Sequence, residues 1–274
     1  MTLIYLLLTL FTERMVQKPH YLRTDFYYTL YKKQLVERKL LCPETTVWQF
    51  LAMWLGPAIS VAILLHILNL GLVTFVVTLF VLFVSIGSHS LREAFKCYLQ
   101  AAERGDLQAC DMYARNLGLP DHSPQTFAGH LVWLNYQRYA APIFFFVVFN
   151  VFGVIAYGTL RVLNGYAQKH ALGLQHTTQK ILLVVEWVPV RLAAVGFLIV
   201  GHFSRALPVW LSLCFDTSTC AKDVLTRVAI AAEDVQSEPD DLVTEAVTLV
   251  SLAKRNILFI LSIVAILTLL GVIQ

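Results

Sequence analysis

Long apolar runs separated by polar segments dominate the pattern of this chain. A membrane-crossing helix needs about 17 to 25 mostly apolar residues, and the pattern predicts four such spans: Val47–Leu68, Leu72–Gly87, Pro142–Leu160 and Asn256–Ile273. The second of them is short, and Asn69, Leu70 and Gly71 leave room only for a tight turn before it. The first two spans are therefore predicted to form an antiparallel helical hairpin.

A fifth apolar run, Ile181–Phe203, is also long enough to cross the bilayer, although it contains charged residues. We predict that it spans. If it instead entered the membrane and returned on the same side, the segment from Ser204 to Arg255 and the C-terminus would change sides. This run therefore decides the predicted topology.

The polar and mixed segments also carry helical patterns. Thr2–Phe11 is apolar but too short to span, and it lacks the features of a cleaved signal peptide, so we predict a retained half-helix or an interfacial anchor. Glu13–Glu44 is rich in aromatic and basic residues, which is typical of a helix at the level of the lipid headgroups. Glu93–Leu117 is predicted to be a helical hairpin, in which Gly105 ends one helix and Asp106 caps the next.

Two further helices are predicted before the last span. Apolar residues recur at helical spacing over Asp223–Val235 and again over Asp240–Arg255. Acidic residues begin the second of these helices and basic residues end it, which suits the helix dipole. We predict that it continues to Ile273 as a single helix about 50 Å long, at about 1.5 Å per residue.

The predicted fold is all-α: a polytopic membrane protein with four to five transmembrane helices, an N-terminal half-helix and cytoplasmic helices. Its predicted segments follow one another in this order: a membrane anchor and interfacial helix (1–46), a transmembrane hairpin (47–87), a cytoplasmic hairpin and loop (88–140), transmembrane helices (141–203), cytoplasmic helices (204–255) and a C-terminal transmembrane helix (256–274).

Composition and charge agree with a bilayer as the main partner of the chain. Hydrophobic residues make up 57% of it and charged residues 14%, whereas soluble domains carry about 25% charged residues. Lys and Arg number seven before Val47, five from Ser88 to Ala141, three from Arg161 to Lys180 and five from Ser204 to Arg255. By the positive-inside rule, only the third of these connections and the C-terminus face outward.

Other function classes find little support in the sequence. The basic residues are dispersed and the net charge is only +3, so a nucleic-acid partner is not expected. The five cysteines have no CxxC spacing or zinc pattern, and we expect free thiols and no metal. No phosphate-binding GxxxxGK[ST] loop is present, and no cofactor is predicted.

Two polar clusters at or inside the predicted spans are candidates for ligand binding. Asn135, Tyr136 and Arg138 precede the span that opens at Pro142; an arginine beside aromatic residues at that level is commonly a snorkelling anchor. Glu186, Pro189 and Arg191 lie inside the fifth run, where ionisable groups are costly and need an explanation.

The two charged residues of the second cluster can be explained in two ways. Proline removes a backbone donor, so a carbonyl near Val185 is expected to lack its helical partner and could be bound by a buried arginine. In that structural interpretation Arg191 binds carbonyls, or Glu186 after a kink. In the functional interpretation Arg191 faces a ligand in a polar cavity. A third, weaker candidate is the pair Arg23 and Asp25, which could bind an anionic lipid or a phosphorylated ligand.

Several stretches of the chain resemble the AmpE family. They are MTLIYLLLTLFTERM at the N-terminus, YLQAAERGDLQA in the hairpin, HLVWLNYQRYAAPIFF from His130, EWVPVRLAAVGFLIVGHFSRALPVW from Glu186, VLTRVA from Val224 and AVTLVSLAKRN before the last span. The resemblance implies a multi-pass inner-membrane protein of Gram-negative bacteria that is linked to induction of chromosomal β-lactamase.

The chain is also distantly similar to the CobD/CbiB cobalamin-biosynthesis synthases, which use ATP. VPVRL corresponds to their IPARL motif and YAAPIFF to their APLF motif. Their acidic ENxSDG pattern is absent, because LNYQRYA keeps Asn135 but offers Arg138 and no carboxylate. The resemblance therefore implies a related scaffold without the carboxylates that such a reaction needs for Mg²⁺.

Three functions remain open at the level of the sequence. The leading expectation, implied by the AmpE resemblance, is a regulatory protein that senses or relays cell-wall-recycling status, with a membrane or cytoplasmic protein partner and an anionic lipid or muropeptide-like ligand. The alternative is an enzyme acting on a lipid-linked or phosphorylated substrate. A transporter is disfavoured, because no inverted repeat is present.

Overall fold

The computed structural model describes residues 1–16, 24–38, 46–68, 71–87, 89–119, 126–170, 173, 175–217, 219–233 and 242–273. In this part of the chain the fold is helical, without strands. Its helices are α1 (Thr2–Met15), α2 (Thr24–Glu37), α3 (Val47–Leu68), α4 (Gly71–Ser85), α5 (His89–Glu103), α6 (Leu107–Asn116), α7 (Phe127–Asn135), α8 (Ala141–Lys169), α9 (Gln175–Val200), α10 (Phe203–Cys214), α11 (Ala221–Ala232) and α12 (Leu242–Leu269), with a π-helical turn (Tyr136–Ala140) between α7 and α8.

Four stretches of helix are long and apolar enough to cross a membrane. Among the described residues they are Val47–Ile67, Phe127–Lys169, Gln175–Val200 and Val243–Leu269, and Gly71–Ser85 is a shorter apolar helix. The predicted all-α, multi-pass membrane fold is confirmed. The fifth predicted run corresponds to α9 as far as Val200, and its last residue, Phe203, begins α10. The second predicted span corresponds to the short helix α4.

The helices fall into two compact units, which are described separately below. The first unit comprises Met1–Gly87, Ala141–Glu186 and Val264–Gln274, and the second comprises Ser88–Ala140 and Trp187–Ile263. Both α9 and α12 contribute to both units.

The first unit is held together by side chains that hydrogen-bond to backbone carbonyls of neighbouring helices. The indole Nε1 of Trp54 in α3 donates to the carbonyl of Ala156 in α8 at 2.8 Å. In the opposite direction, the Thr159 hydroxyl of α8 donates a hydrogen bond to the carbonyl of Trp54 at 3.1 Å. Tyr31 of α2 donates to the carbonyl of Met53 at 2.8 Å. Such bonds matter most in an apolar medium, where water cannot satisfy polar groups.

Helix α8 is broken at Asn150, which the sequence did not predict. Asn150 has φ 56° and ψ −148°, and its side-chain Oδ1 accepts a hydrogen bond from the Val151 N–H at 3.0 Å. The rings of Phe145 and Tyr157 stack with centroids 4.7 Å apart, although twelve residues of straight helix would separate them by about 18 Å. The two arms of α8 therefore fold sharply towards each other, so the span predicted over Pro142–Leu160 contains a break that its sequence did not indicate.

The second unit contains the predicted hairpin, now α5 and α6. Asp106 accepts a hydrogen bond from the Ala109 N–H at 3.0 Å and so caps α6, and Gly105 has φ 72°. Both predicted roles are confirmed. Tyr98, Ala101 and Cys110 form the buried contact between the two helices.

Helix α12 confirms the prediction that a polar helix continues into the last span. It runs without interruption from Leu242 to Leu269, which is about 42 Å at 1.5 Å per residue. It is shorter than predicted at its C-terminal end because Gly271, with φ 72°, ends the helix. The predicted helix over Asp223–Val235 corresponds to α11. Helix α10 was not predicted as a separate helix.

Substitution of Asn150 tests whether the break in α8 is a strained turn. The combination of positive φ and extended ψ is a region that essentially only glycine adopts without strain, at a cost of about 1–3 kcal/mol for other residues. We expect Asn150→Gly to keep the thermal midpoint of the detergent-extracted protein close to that of the wild type. We expect Asn150→Val to lower it clearly, since a β-branched residue fits this conformation worst. Equal midpoints for the two variants would contradict the observed turn.

Candidate functional site

Arg191 binds the C-terminal end of α10 within the second unit. Its side chain is 8% exposed. Its Nε donates to the Cys214 carbonyl at 2.6 Å, and its Nη2 donates to the carbonyls of Leu213, at 3.4 Å, and Asp216. The last carbonyls of a helix have no partners within it and carry partial negative charge. The guanidinium satisfies these carbonyls and places a positive charge at the favourable end of the helix dipole.

The same guanidinium also contacts its own helix. Its Nη1 donates to the Trp187 carbonyl at 3.1 Å, and its Cζ lies 4.2 Å from the centroid of the Trp187 ring. Pro189 lies within α9, which continues through it. Sequence reasoning expected a carbonyl near Val185 as the acceptor, and the acceptor in α9 is the Trp187 carbonyl instead. All three nitrogens of Arg191 thus donate to backbone carbonyls.

Glu186 belongs to a separate polar cluster in the first unit. Its side chain is 3% exposed, and its Oε1 accepts a hydrogen bond from the Tyr157 hydroxyl at 2.9 Å. Arg161 supplies a favourable positive charge to Glu186 and is a side-chain hydrogen-bond partner of Tyr157. Glu186 is therefore a buried carboxyl group with a tyrosine hydroxyl as its hydrogen-bond donor and an arginine nearby, so it is not left without polar partners.

Tyr28 of α2 extends this cluster. Its hydroxyl is hydrogen-bonded to Ser85, and Arg161 lies close enough to act on it electrostatically. Burial raises the pKa of Tyr28 to about 12, despite opposing effects of Ser85 and Arg161. The phenol therefore stays protonated at physiological pH. Its ring lies against Gly158 of α8, where a Cβ atom would overlap the Tyr28 hydroxyl.

Asn135 and Tyr136 line a small buried cavity in the second unit, at the π-helical turn. The cavity measures about 10 Å³, close to the lower limit for holding one water molecule. Asn256 of α12 also lines it; its Nδ2 donates to the Ala193 carbonyl at 3.0 Å, and its buried Oδ1 has no hydrogen-bond partner within the described residues. π-helical turns are frequent at functional sites.

The remaining predicted site residues are less informative. Arg138 lies in the π-helical turn and is half-buried. Arg23 lies outside the described residues, and of Asp25 only the backbone position in α2 is described.

Sequence reasoning identified Arg191 and Glu186 but missed the partners of the buried carboxylate. In the sequence, Tyr157 is one of many aromatic residues in the apolar spans. Arg161 resembles a basic residue that marks the end of a span. Asn256 offered a signal, because it is the single polar residue that follows Arg255 at the start of the last apolar run.

Long apolar helices containing buried, internally satisfied charges define a class: a multi-pass helical membrane protein. Comparison with known proteins is more specific. The family described as "Regulatory signalling modulator protein AmpE" matches residues 1–274. Protein AmpE of Shigella flexneri is 32% identical over 215 residues, which cover 72% of this chain and 75% of that protein. No solved structure matches the chain.

The chain therefore belongs to the AmpE family of regulatory signalling modulators, which are proteins of the inner membrane. The expectation drawn from the resemblance is confirmed, as is the link of the family to β-lactamase induction. The alternative of a CobD/CbiB-like enzyme is not supported.

Removal of the Arg191 side chain separates its structural role from a ligand-binding one. Each buried carbonyl left without a donor costs about 1–3 kcal/mol, so we expect Arg191→Ala to lower strongly both the thermal midpoint and the amount of folded protein in the membrane. Arg227→Ala, which removes an exposed arginine of α11, serves as the control and should leave both unchanged. A stable, normally expressed Arg191→Ala protein without activity would show instead that the arginine serves a ligand.

A glycine pair in α8 tests the packing of Tyr28. Gly158→Ala would place a methyl group on the Tyr28 hydroxyl, whereas the space around Gly165 is open. We expect Gly158→Ala to lower the thermal midpoint and Gly165→Ala to leave it unchanged or raise it, because alanine favours helix by about 1 kcal/mol over glycine. The same midpoint in both variants would mean that α2 does not pack on α8 at Gly158.

Proposed function

We propose that this protein relays cell-wall-recycling status to β-lactamase induction through a protein partner that binds its cytoplasmic helices. The observation that carries the proposal is that all three side-chain nitrogens of Arg191 already donate hydrogen bonds to backbone carbonyls. An anionic ligand could reach the guanidinium only by displacing these bonds and exposing the end of α10. The arginine therefore fits a scaffold better than a receptor site.

The size of the polar cavity also favours a protein partner over a ligand-binding site in the spans. A cavity of about 10 Å³ next to Asn135, Tyr136 and Asn256 accommodates one water molecule. A muropeptide-like ligand or a lipid headgroup is far larger and would require the surrounding helices to separate. This cavity therefore gives no support to an anionic-lipid or muropeptide-like ligand between Asn135 and Asn256. A pocket of about 400 Å³, lined in part by Tyr31, Gln34 and Arg38, lies in the first unit instead.

The hairpin of α5 and α6 offers a suitable partner surface. It buries its own contact residues, yet Leu107 of α6 is 64% exposed and Met112 is 50% exposed. Asp111 and Arg115 are exposed on the same short helix. Apolar residues surrounded by charges are typical of protein interfaces. The hairpin also lies in a connection that the positive-inside rule assigns to the cytoplasm.

Charged substitutions on α6 test this surface. We expect Leu107→Asp with Met112→Glu to abolish β-lactamase induction, because two charges would enter an apolar contact with the partner. The measurement is induced β-lactamase activity in a Gram-negative host in which this gene replaces the host's own AmpE gene. The membrane content of the variant should stay normal, since both side chains are exposed and their replacement creates no cavity.

The control variant carries Val247→Asp, which places one charge on an exposed position of α12. Retained induction in this variant would show that the loss on α6 is local. Normal induction in the doubly substituted α6 variant would contradict the proposed surface. Loss of induction in every variant, with normal membrane content, would favour a general effect of charge over a partner on α6.

A further inference from the structure

Helix α10 presents an uninterrupted apolar stripe on its exposed side. Phe203, Leu207, Leu211 and Phe215 recur at every fourth position and so lie on one face of the helix and its end. The exposed fractions of Phe203 and Leu211 are 54% each, and that of Phe215 is 86%. We call these four residues the α10 stripe. No described contact covers it, and soluble surfaces rarely carry such a row of large apolar side chains.

The position of α10 relative to α9 follows from Arg191. Val200, at the end of α9, lies nine positions after Arg191, which is about 13.5 Å of helix. α10 begins at Phe203 and is about 18 Å long, and its last carbonyls are bound by the Arg191 side chain. Since one arginine side chain bridges the two backbones, the chain turns back after Gly201 and His202, and the C-terminal end of α10 comes within reach of Arg191 in α9. The helix that packs along α10 is α11.

This turn brings the C-terminal end of α10 to the level of Arg191 in an apolar, membrane-capable helix. Gln175–Val200 is a candidate span, and its second half exposes Val188, Leu192 and Ile199. Half the thickness of the hydrocarbon core is about 15 Å, similar to the distance from Arg191 to the end of α9. The C-terminus of α10 therefore lies near the middle of the apolar run that α9 carries.

We propose that α10 is a re-entrant half-helix and that the α10 stripe binds the acyl chains of the membrane. A helix end inside the hydrocarbon needs protein donors for its carbonyls, because lipid offers none. Arg191 supplies them. This assignment replaces the cytoplasmic location expected from sequence for the segment after Ser204.

The polar side chains of α10 are compatible with this location. The Ser212 hydroxyl donates to the Val209 carbonyl of its own helix at 2.8 Å and so needs no water. Arg205 lies in the first turn, next to the end of α9, where a long basic side chain can extend to the headgroups. The stripe itself contains no charged residue.

Spin labels measure whether lipid or water contacts the stripe. The five native cysteines are replaced by alanine, and a nitroxide is attached to Leu211→Cys or, as the matched control, to Leu107→Cys, an exposed leucine of α6. Both proteins are placed in vesicles of phosphatidylethanolamine and phosphatidylglycerol. We expect oxygen, which concentrates in lipid, to relax the label at position 211 more than a water-soluble nickel chelate does. The label at position 107 should show the reverse.

Two outcomes would overturn the proposal. A label at position 211 as accessible to the nickel chelate as the label at position 107 would place α10 in water. A label reached by neither reagent would show that protein covers the stripe, either a second copy or a partner.

A second measurement uses the unmodified protein, in case the cysteine-free protein does not fold. Hydroxyl radicals generated in water oxidise exposed side chains of the protein held in lipid nanodiscs, and mass spectrometry locates the products. We expect oxidation of Phe215 to be strongly suppressed, relative to the detergent-denatured protein, and that of Met112 to be much less so. Equal suppression at both residues, or none at Phe215, would refute the lipid contact.

Discussion

The structure of the second unit depends on the bonds between one arginine and the end of a helix. Arg191 donates to the carbonyls of Cys214, Leu213 and Asp216. In an apolar environment the last carbonyls of a helix have no water to bind, so a helix can end there only if the protein supplies donors. A guanidinium supplies several donors in one plane, together with the charge that the helix dipole favours. Without it, α10 could not end beside the middle of α9.

The same constraint explains the other polar residues within the apolar helices. Trp54 and Asn256 each donate to a backbone carbonyl of a neighbouring helix. Glu186 is bound by Tyr157, with the charge of Arg161 nearby. An ionisable residue in a membrane span suggests a functional site by default. Here the described contacts give Glu186 and Arg191 structural partners, which is why the proposed partner surface lies outside the spans.

The sequence predicted elements whose signals are local. The span at α3, the α5–α6 turn at Gly105 and Asp106, and the continuation of α12 into the membrane follow from hydropathy, capping and charge order. The break at Asn150 did not follow, since asparagine within an apolar run carries no strong breaking signal. The motif around Arg191 was recognisable as costly, but three of its four acceptors are carbonyls more than twenty residues away. A backbone carbonyl leaves no mark in a sequence.

Exposed apolar residues distinguish two kinds of surface on this protein. On α6, Leu107 and Met112 share the helix with the exposed Asp111 and Arg115, so water can solvate the surface until a partner binds. The α10 stripe has four large apolar residues in a row without a charge, and water would solvate it poorly at all times. A transient partner suits the first surface, whereas a permanent apolar medium suits the second. A regulatory protein can thus keep α10 anchored in lipid while α6 remains available to exchange partners.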